Sequence, residues 1–297
     1  MRVAIGIDVG GTYTKLAAVA ADGEVRWRAR IETEGESAER LLAAVRSATD
    51  ATERAIGQTA SIGVACPGLV LRDAVAVHWM KGRLEVLEGL EWQAALGRPA
   101  PVPVINDAHA ALLGETWLGA ARGCRDVVML TLGTGVGGAI VSDGRILTGA
   151  TGRAGHLGHI ALQVPAPRDI VNTPGSLEDA IGNHTIHRRS NGRFASTEAL
   201  LAARAQGDEH AGDVWRTSVR YLAAGLASII NAVDPARIVL GGGIAARAGR
   251  ALFDPLDEFM NEYEWRPSGA GVEIVAAALG DEAGAIGAAW HAMERTA

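Results

Sequence analysis

Two aspartates stand where a carboxylate could do chemistry. In "VPVINDAHAALLGE", Asp107 follows an apolar run and opens a helical pattern. A carboxylate there can relieve a hydroxyl of its proton as a general base, or can simply cap the helix. Asp8 ends the apolar run of "IGIDVGGTYTKLAAVA" and is followed by Gly10, Gly11, Thr12 and Lys15. A carboxylate at a strand end beside a glycine loop suits Mg²⁺ held largely through water. The loop's backbone amides can approach an anion closely, since glycine carries no side chain and tolerates φ > 0. The alternative is a tight turn with a solvated lysine at position 15, and this stretch alone leaves both open.

The elements around these residues narrow the loop type. A P-loop needs GxxxxGK[ST] and a following helix, and a dinucleotide fingerprint needs GxGxxG opening a helix. Neither fits, because Thr14–Val19 reads as a second strand. Asp22-Gly23 then marks a hairpin turn, and Val25–Ile31 alternates as a third strand. The layout returns in residues 127–147, "VVMLTLGTGVGGAIVSDGRIL", with Gly133, Thr134 and Gly135 in the loop and Thr131 in the place of Asp8. The expectation is two similar α/β halves, each offering a Gly-rich hairpin to a shared cleft that would suit a polyphosphate chain.

Between the repeats lie an amphipathic helix over Ala38–Ile56 and an apolar strand, "SIGVACPG". Beyond them come helices at Thr197–Gln206 and Asp213–Val233, then a buried strand ending in Gly241, Gly242 and Gly243. A strand "VEIVAAAL" and a helix "DEAGAIGAAWHAM" close the pattern. Alternating strands and helices imply mixed sheets twice over, in two lobes with a hinge near Gly114 to Gly123.

With 297 residues and 48% hydrophobic content, two globular cores are expected. No run of about eighteen apolar residues and no basic-then-apolar leader occurs, so neither a membrane span nor a signal peptide is expected, and the location expected is cytoplasmic. The net charge of −6 and scattered arginines speak against nucleic acid as a partner. Cys66 and Cys124 suggest no disulfide framework, and Cys66 reads as a buried structural thiol rather than a nucleophile.

Taken in order, "GIDVGGTYTK", "CPG", "VINDAHAALLGE", "LTLGTGVGGAI", "GRAGHLGH" and "IVLGGG" resemble the sugar-kinase branch of the ROK family, named for repressors, open reading frames and kinases. The resemblance covers almost the whole chain. It implies the two-lobed actin-like ATPase (ribonuclease H-like) fold, with duplicated mixed β-sheet domains. The small lobe is expected at 1–118, with the C-terminal helix of about 281–297 packed back on it, and the large lobe at 119–280. The resemblance further implies ATP and Mg²⁺ between the lobes, a sugar deeper in the cleft and a homodimer.

On that basis Asp107 is the general base for a sugar hydroxyl, with Asn106 and Gly68 beside it. Gly10, Gly11, Thr12, Gly133, Thr134 and Gly135 approach the phosphates, with Lys15 as an added charge. Gly241, Gly242 and Gly243 let a nucleoside lie against bare backbone. The function implied is ATP-dependent phosphorylation of a hexose or hexose derivative. The alternatives are an N-acetylhexosamine kinase, a polyphosphate-dependent glucokinase, or a non-catalytic sugar sensor like the family's repressors. Those repressors carry a helix-turn-helix ahead of the first motif, whereas this sequence opens on the motif.

The sugar pocket departs from the family pattern. Members commonly carry GExGH and then a zinc-binding CxCGxxGCxE. Here His156 stands in the place of the sugar-binding Glu, with His159 in the usual His place, and Asp169, Val171 and Ser176 replace the three cysteines. One imidazole and no thiolate do not make a closed tetrahedral site, so no structural zinc is expected. Hydrogen bonding to sugar or backbone is favoured for His156 and His159 over a metal role. Glu178 is retained, either as a hydroxyl ligand or as a first-turn helix acid behind an N-capping Ser176. In "VHWMKGRLEVLEGLEW", Glu88 stands nearest a sugar-holding Asn of the family. Trp79, Arg83 and Trp92 either add a stacking face and a charge to the pocket or belong to a surface loop.

Overall fold

The computed structural model describes residues 1–35, 37–58, 60–71, 74–81 and 84–295. It divides into two compact units, one of residues 1–123, 145–155 and 278–297, the other of residues 124–144 and 156–277.

In the first unit, β1 (Val3–Val9), β2 (Tyr13–Ala20) and β3 (Val25–Glu32) form an antiparallel meander. Helix α1 (Ala38–Ile56) is capped by the Ser37 hydroxyl and buries Leu41 and Val45. Strand β4 (Ser61–Cys66) runs parallel to β1. A short hairpin of β5 (Leu69–Val70) and β6 (Val77–Trp79) and the one-turn helix α2 (Trp92–Ala95) precede β7 (Val104–Asn106), which is parallel to β4 and feeds α3 (Asp107–Leu118). The sheet order is β3-β2-β1-β4-β7. The C-terminal ends of the parallel strands β1, β4 and β7 therefore lie along one edge, where α/β sheets place their ligands.

The second unit repeats the plan with β8 (Val127–Leu132) and β9 (Val136–Ser142) as the hairpin. The turn at Asp143-Gly144 carries the chain out of this unit into β10 (Arg145–Ile146). The third strand expected after that turn is thus cut to two residues, because the chain next enters turns that place Gly149 and Gly152 at positive φ. The helices α4 (Leu177–Ile181), α5 (Ile186–Arg189), α6 (Thr197–Ala205) and α7 (Glu209–Val233) follow. Helix α7 starts four residues before the expected Asp213, because the Asp208 side chain accepts from Ala211 N and caps it there. Strand β11 (Arg237–Gly241), helices α8 (Gly242–Ala248) and α9 (Arg250–Tyr263) and strand β12 (Glu273–Ala276) complete the order β9-β8-β11-β12. The core of this unit gathers Trp215, Leu222 and Leu226 of α7 against Leu130, Ile238 and Leu240 of the sheet.

Helix α10 (Ala283–Arg295) returns to the first unit and packs on β1, β4 and α3. Its small residues allow backbone-to-backbone approach. A Cβ at Gly6 of β1 would overlap the Ala285 carbonyl, and one at Gly287 would overlap Ala110 O of α3. Gly114 lies inside α3, where a Cβ would stand 2.5 Å from Ala283 O, so it serves this packing rather than a bend. Glu115, fully buried, ties α3 to the strand-to-helix connection by accepting from Ala120 N, Ala278 N and Leu279 N.

Gly6→Ala should cost about 1–3 kcal/mol of stability through overpacking against α10. Gly212→Ala in α7, where the added Cβ meets nothing within 4 Å, should instead gain roughly 0.5–1 kcal/mol. Denaturant unfolding of both variants reads the difference.

Candidate active site

Asn106 ends β7 and caps α3. Its Oδ1 accepts from Ala108 N (3.0 Å) and His109 N (3.2 Å), and its Nδ2 donates to Gly68 O (3.0 Å). The cap is Asn106 rather than Asp107, which becomes the first helical residue, with its Oδ1 accepting from Ala108 N at 2.8 Å. Asn106 is 5% exposed and keeps one amide hydrogen for another acceptor, while the Gly68 carbonyl is taken up by the cap.

Asp8 faces this junction from the end of β1. Burial raises its carboxyl to about 7, helped by the Asp107 charge, opposed by Lys15 and helped again by Asp281. Lys15 stands directly across the β1–β2 ladder from Asp8, and its Nζ lies 3.4 Å from Asp281 Oδ2. The lysine expected to add a charge to the phosphates is engaged within its own unit. Cys66, at the end of β4, is buried, and burial together with Asp8 and Asp107 pushes its thiol well above the ordinary value. It is no nucleophile.

The two glycine hairpins show one internal economy. Gly10 N donates to Tyr13 O (3.1 Å) and Gly133 N to Gly135 O (2.9 Å), so these two amides close their own turns. The amides of Gly11, Thr12, Thr134 and Gly135 take no acceptor among the described residues. Of six residues expected to grip phosphates through backbone amides, four have that amide open.

In the second unit, Glu178 Oε2 accepts from Val136 N (2.8 Å), and the carboxylate fills the space a Cβ on Gly135 would need. The open readings of Glu178 coexist, since Ser176 does cap α4 and Glu178 does sit in its first turn. The carbonyls of the second hairpin are also held. Asn183 N donates to Gly133 O, and both the backbone N and Nδ1 of His184 lie within bonding distance of Thr134 O. His184 Nε2 is 3.1 Å from Asp179 Oδ1, and Asp179 Oδ2 accepts from Arg188 Nη2 at 2.6 Å. Neither Asp179 nor His184 was expected from sequence; only the "LEDAIGNH" stretch after Glu178 hints at them.

His156 flanks the turn Leu157–His159, and His159 Nδ1 lies 2.8 Å from Asp169 Oδ2. Among the described residues no cluster of three or more His, Cys, Asp or Glu could hold a metal ion. Gly242 is pressed against the backbone of Leu132, whereas Gly243, exposed at the start of α8, has open space around its Cα.

In the Val77 to Trp92 loop one expectation is corrected, that of Trp92 as a stacking face. Glu88 accepts from Met80 N at 2.9 Å, so its carboxylate braces the loop's own backbone. Trp92 is fully buried in the first unit's core and offers no stacking face, although Trp79 is exposed. Arg83 lies outside the described residues. No helix among the described residues is long and apolar enough to cross a membrane.

The ROK family model matches residues 4–295. A glucokinase of Thermotoga maritima is 33% identical, with 98% of this chain and 97% of the relative covered. An N-acetylmannosamine kinase of Escherichia fergusonii is 31% identical, with 96% of each covered. Among solved structures, a ROK family glucokinase from Streptomyces griseus in complex with glucose and AMPPNP superposes with a TM-score of 0.80 at 28% identity, covering 98% of this chain and 99% of that one.

Because the folded-state pKa of Asp8 lies above that of the unfolded chain, its burial costs nothing at pH values where both states are protonated. The cost grows as pH rises above the ordinary carboxylate value and is complete above about 7. Without divalent cations, Asp8→Asn should therefore raise the thermal midpoint several degrees more at pH 8 than at pH 4.5. An equal gain at both pH values would contradict the burial cost.

Proposed function

The chain belongs to the ROK family, and on that premise we propose that it is a sugar kinase, transferring a phosphoryl group from ATP to a hydroxyl of a hexose or hexose derivative. It has the actin-like ATPase fold of its family. The observation that carries the reading is the β7–α3 junction, where Asn106, capping α3, fixes Asp107 at the end of a parallel strand beside Asp8.

Asp107 accepts the proton of the attacking sugar hydroxyl, and the remaining amide hydrogen of Asn106 is available to a neighbouring hydroxyl. The open amides of Gly11, Thr12, Thr134 and Gly135 hold the donor's phosphates, where positioning and charge stabilisation supply most of the catalysis. Gly243 leaves backbone bare for the nucleoside. Glu178 and His159 contact sugar hydroxyls, with His156 in the same loop. Asp8 fits as a carboxylate partner of Mg²⁺, directly or through water, since a buried carboxylate raised by a neighbouring negative charge gains from a cation and Mg²⁺ is commonly held by one or two carboxylates. Bound there, Mg²⁺ would neutralise phosphate charge. No structural zinc enters the proposal, because Asp169, Val171 and Ser176 offer no thiolate.

Glucose and N-acetylmannosamine are the leading acceptors, since relatives named for each match the chain at similar identity. A homodimer working in the cytoplasm is the form inferred from the family. Purified protein with Mg-ATP should release ADP in the presence of one or more of glucose, mannose, N-acetylglucosamine and N-acetylmannosamine, and ³¹P NMR of the product identifies the hydroxyl. Turnover with polyphosphate but not ATP would change the donor. Binding of a sugar without turnover on either donor would favour a sensor and defeat the kinase reading.

A further inference from the structure

We propose that Asp169 is a positioning residue for sugar recognition, holding the His159 imidazole by Nδ1 so that Nε2 meets the sugar as a hydrogen-bond acceptor. The inference deepens the sugar-kinase reading and rests on it.

Asp169 is 8% exposed and sits in the loop between His159 and α4. Its Oδ2 takes His159 Nδ1, while its Oδ1 accepts from Val171 N (3.0 Å) and Thr173 N (2.8 Å). The Ser176 hydroxyl bonds the same carboxylate. Burial pushes the carboxyl up, but the bonds from His159, Thr173, Ser176 and Val171 outweigh it and hold it below the usual range. An ionised carboxylate only accepts, so Nδ1 must carry the proton. In the neutral imidazole Nε2 is then a bare acceptor.

That nitrogen has no partner among the described residues, and the side chain keeps 24% of its surface open. The ring is also fixed from behind. Gly158 lies so close to Val136 O that no Cβ would fit, which clamps the Leu157–His159 turn to the start of β9. Val136 N, on the same residue, is the donor to Glu178. Two proposed sugar contacts are thus referenced to one residue of the second hairpin. A buried acid that orients a histidine by one nitrogen and leaves the other without a partner among the described residues is well suited to presenting an acceptor of fixed polarity.

The same geometry dictates what Asp169→Asn does. The amide oxygen must stay with Val171 N and Thr173 N, which can only donate, so the NH₂ takes the place of Oδ2. It then donates to Nδ1, and the proton moves to Nε2. The Ser176 hydroxyl can rotate to accept. A nearly isosteric change thereby turns the sugar-facing atom from acceptor to donor.

The test combines ¹⁵N NMR of the histidine rings at pH 8, assigned with a His159→Gln variant, and steady-state kinetics of the full chain. Wild-type His159 should carry its proton on Nδ1, and Asp169→Asn should move it to Nε2. The variant's KM for sugar should rise roughly tenfold, as one lost hydrogen bond implies, with KM for ATP unchanged and only a small fall in the thermal midpoint from loss of the favoured carboxylate. A wild-type ring protonated on Nε2 overturns the proposal, whatever the activity. So does a variant whose tautomer flips without change in sugar KM, or one that loses stability and kcat with sugar KM intact. If no sugar is turned over, calorimetric sugar affinity replaces KM. A correct tautomer without sugar binding would sink the kinase reading and this proposal's recognition role together, whereas sugar binding that Asp169→Asn leaves unchanged would sink the proposal alone.

Discussion

Like-charged carboxylates at the ends of two strands of one sheet are the constraint on which the first unit is built. Asp8 and Asp107 leave the C-terminal ends of β1 and β7, one strand apart across β4, and the ionisation of one disfavours that of the other. Such an arrangement is unfavourable for folding, and it persists because the surrounding backbone over-determines it. The Asn106 cap fixes Asp107. Asp8 packs against Gly284 in the first turn of α10, where a Cβ would stand 2.6 Å from its Oδ2. The close approach of α10 to β1 and α3 is therefore part of the site, since it supplies the burial that raises Asp8.

The second unit solves a different problem, that of keeping a glycine-rich turn rigid. The Gly133–Gly135 turn has little side-chain packing of its own, so its carbonyls and the following amide are tied to α4 and the segment after it. Glu178, Asn183 and His184 supply those ties, and Asp179 orients His184 from behind. A fixed turn leaves its two open amides in one geometry, which lowers the reorganisation required when an anion arrives.

Much of this was legible in the sequence where the signal is local. The Asp22-Gly23 and Asp143-Gly144 turns, the alternation of β2 and β3 and the amphipathic α1 identify the repeated hairpin plan. Asp107 stands out because an apolar run breaks into a helix at an acid. The roles that escaped notice depend on partners distant in sequence. Glu115 looks like an ordinary helix-surface acid until Ala278 and Leu279 meet it from more than 160 residues away. Lys15 looks available until Asp281 is placed beside it. Trp92 and Glu88 lie in a loop whose pattern does not reveal which side faces the core. Asp169 and His184 act through side-chain bonds that span loops without periodicity.

The central claim is that Asp107 removes the proton of a bound sugar hydroxyl. Its most direct test is Asp107→Ala in the purified protein, comparing sugar affinity by calorimetry with turnover by ADP release and checking the fold by circular dichroism. The account predicts a folded variant whose turnover falls by about 10²–10⁴ while sugar still binds. A folded Asp107→Ala protein that phosphorylates sugar at the wild-type rate would contradict it.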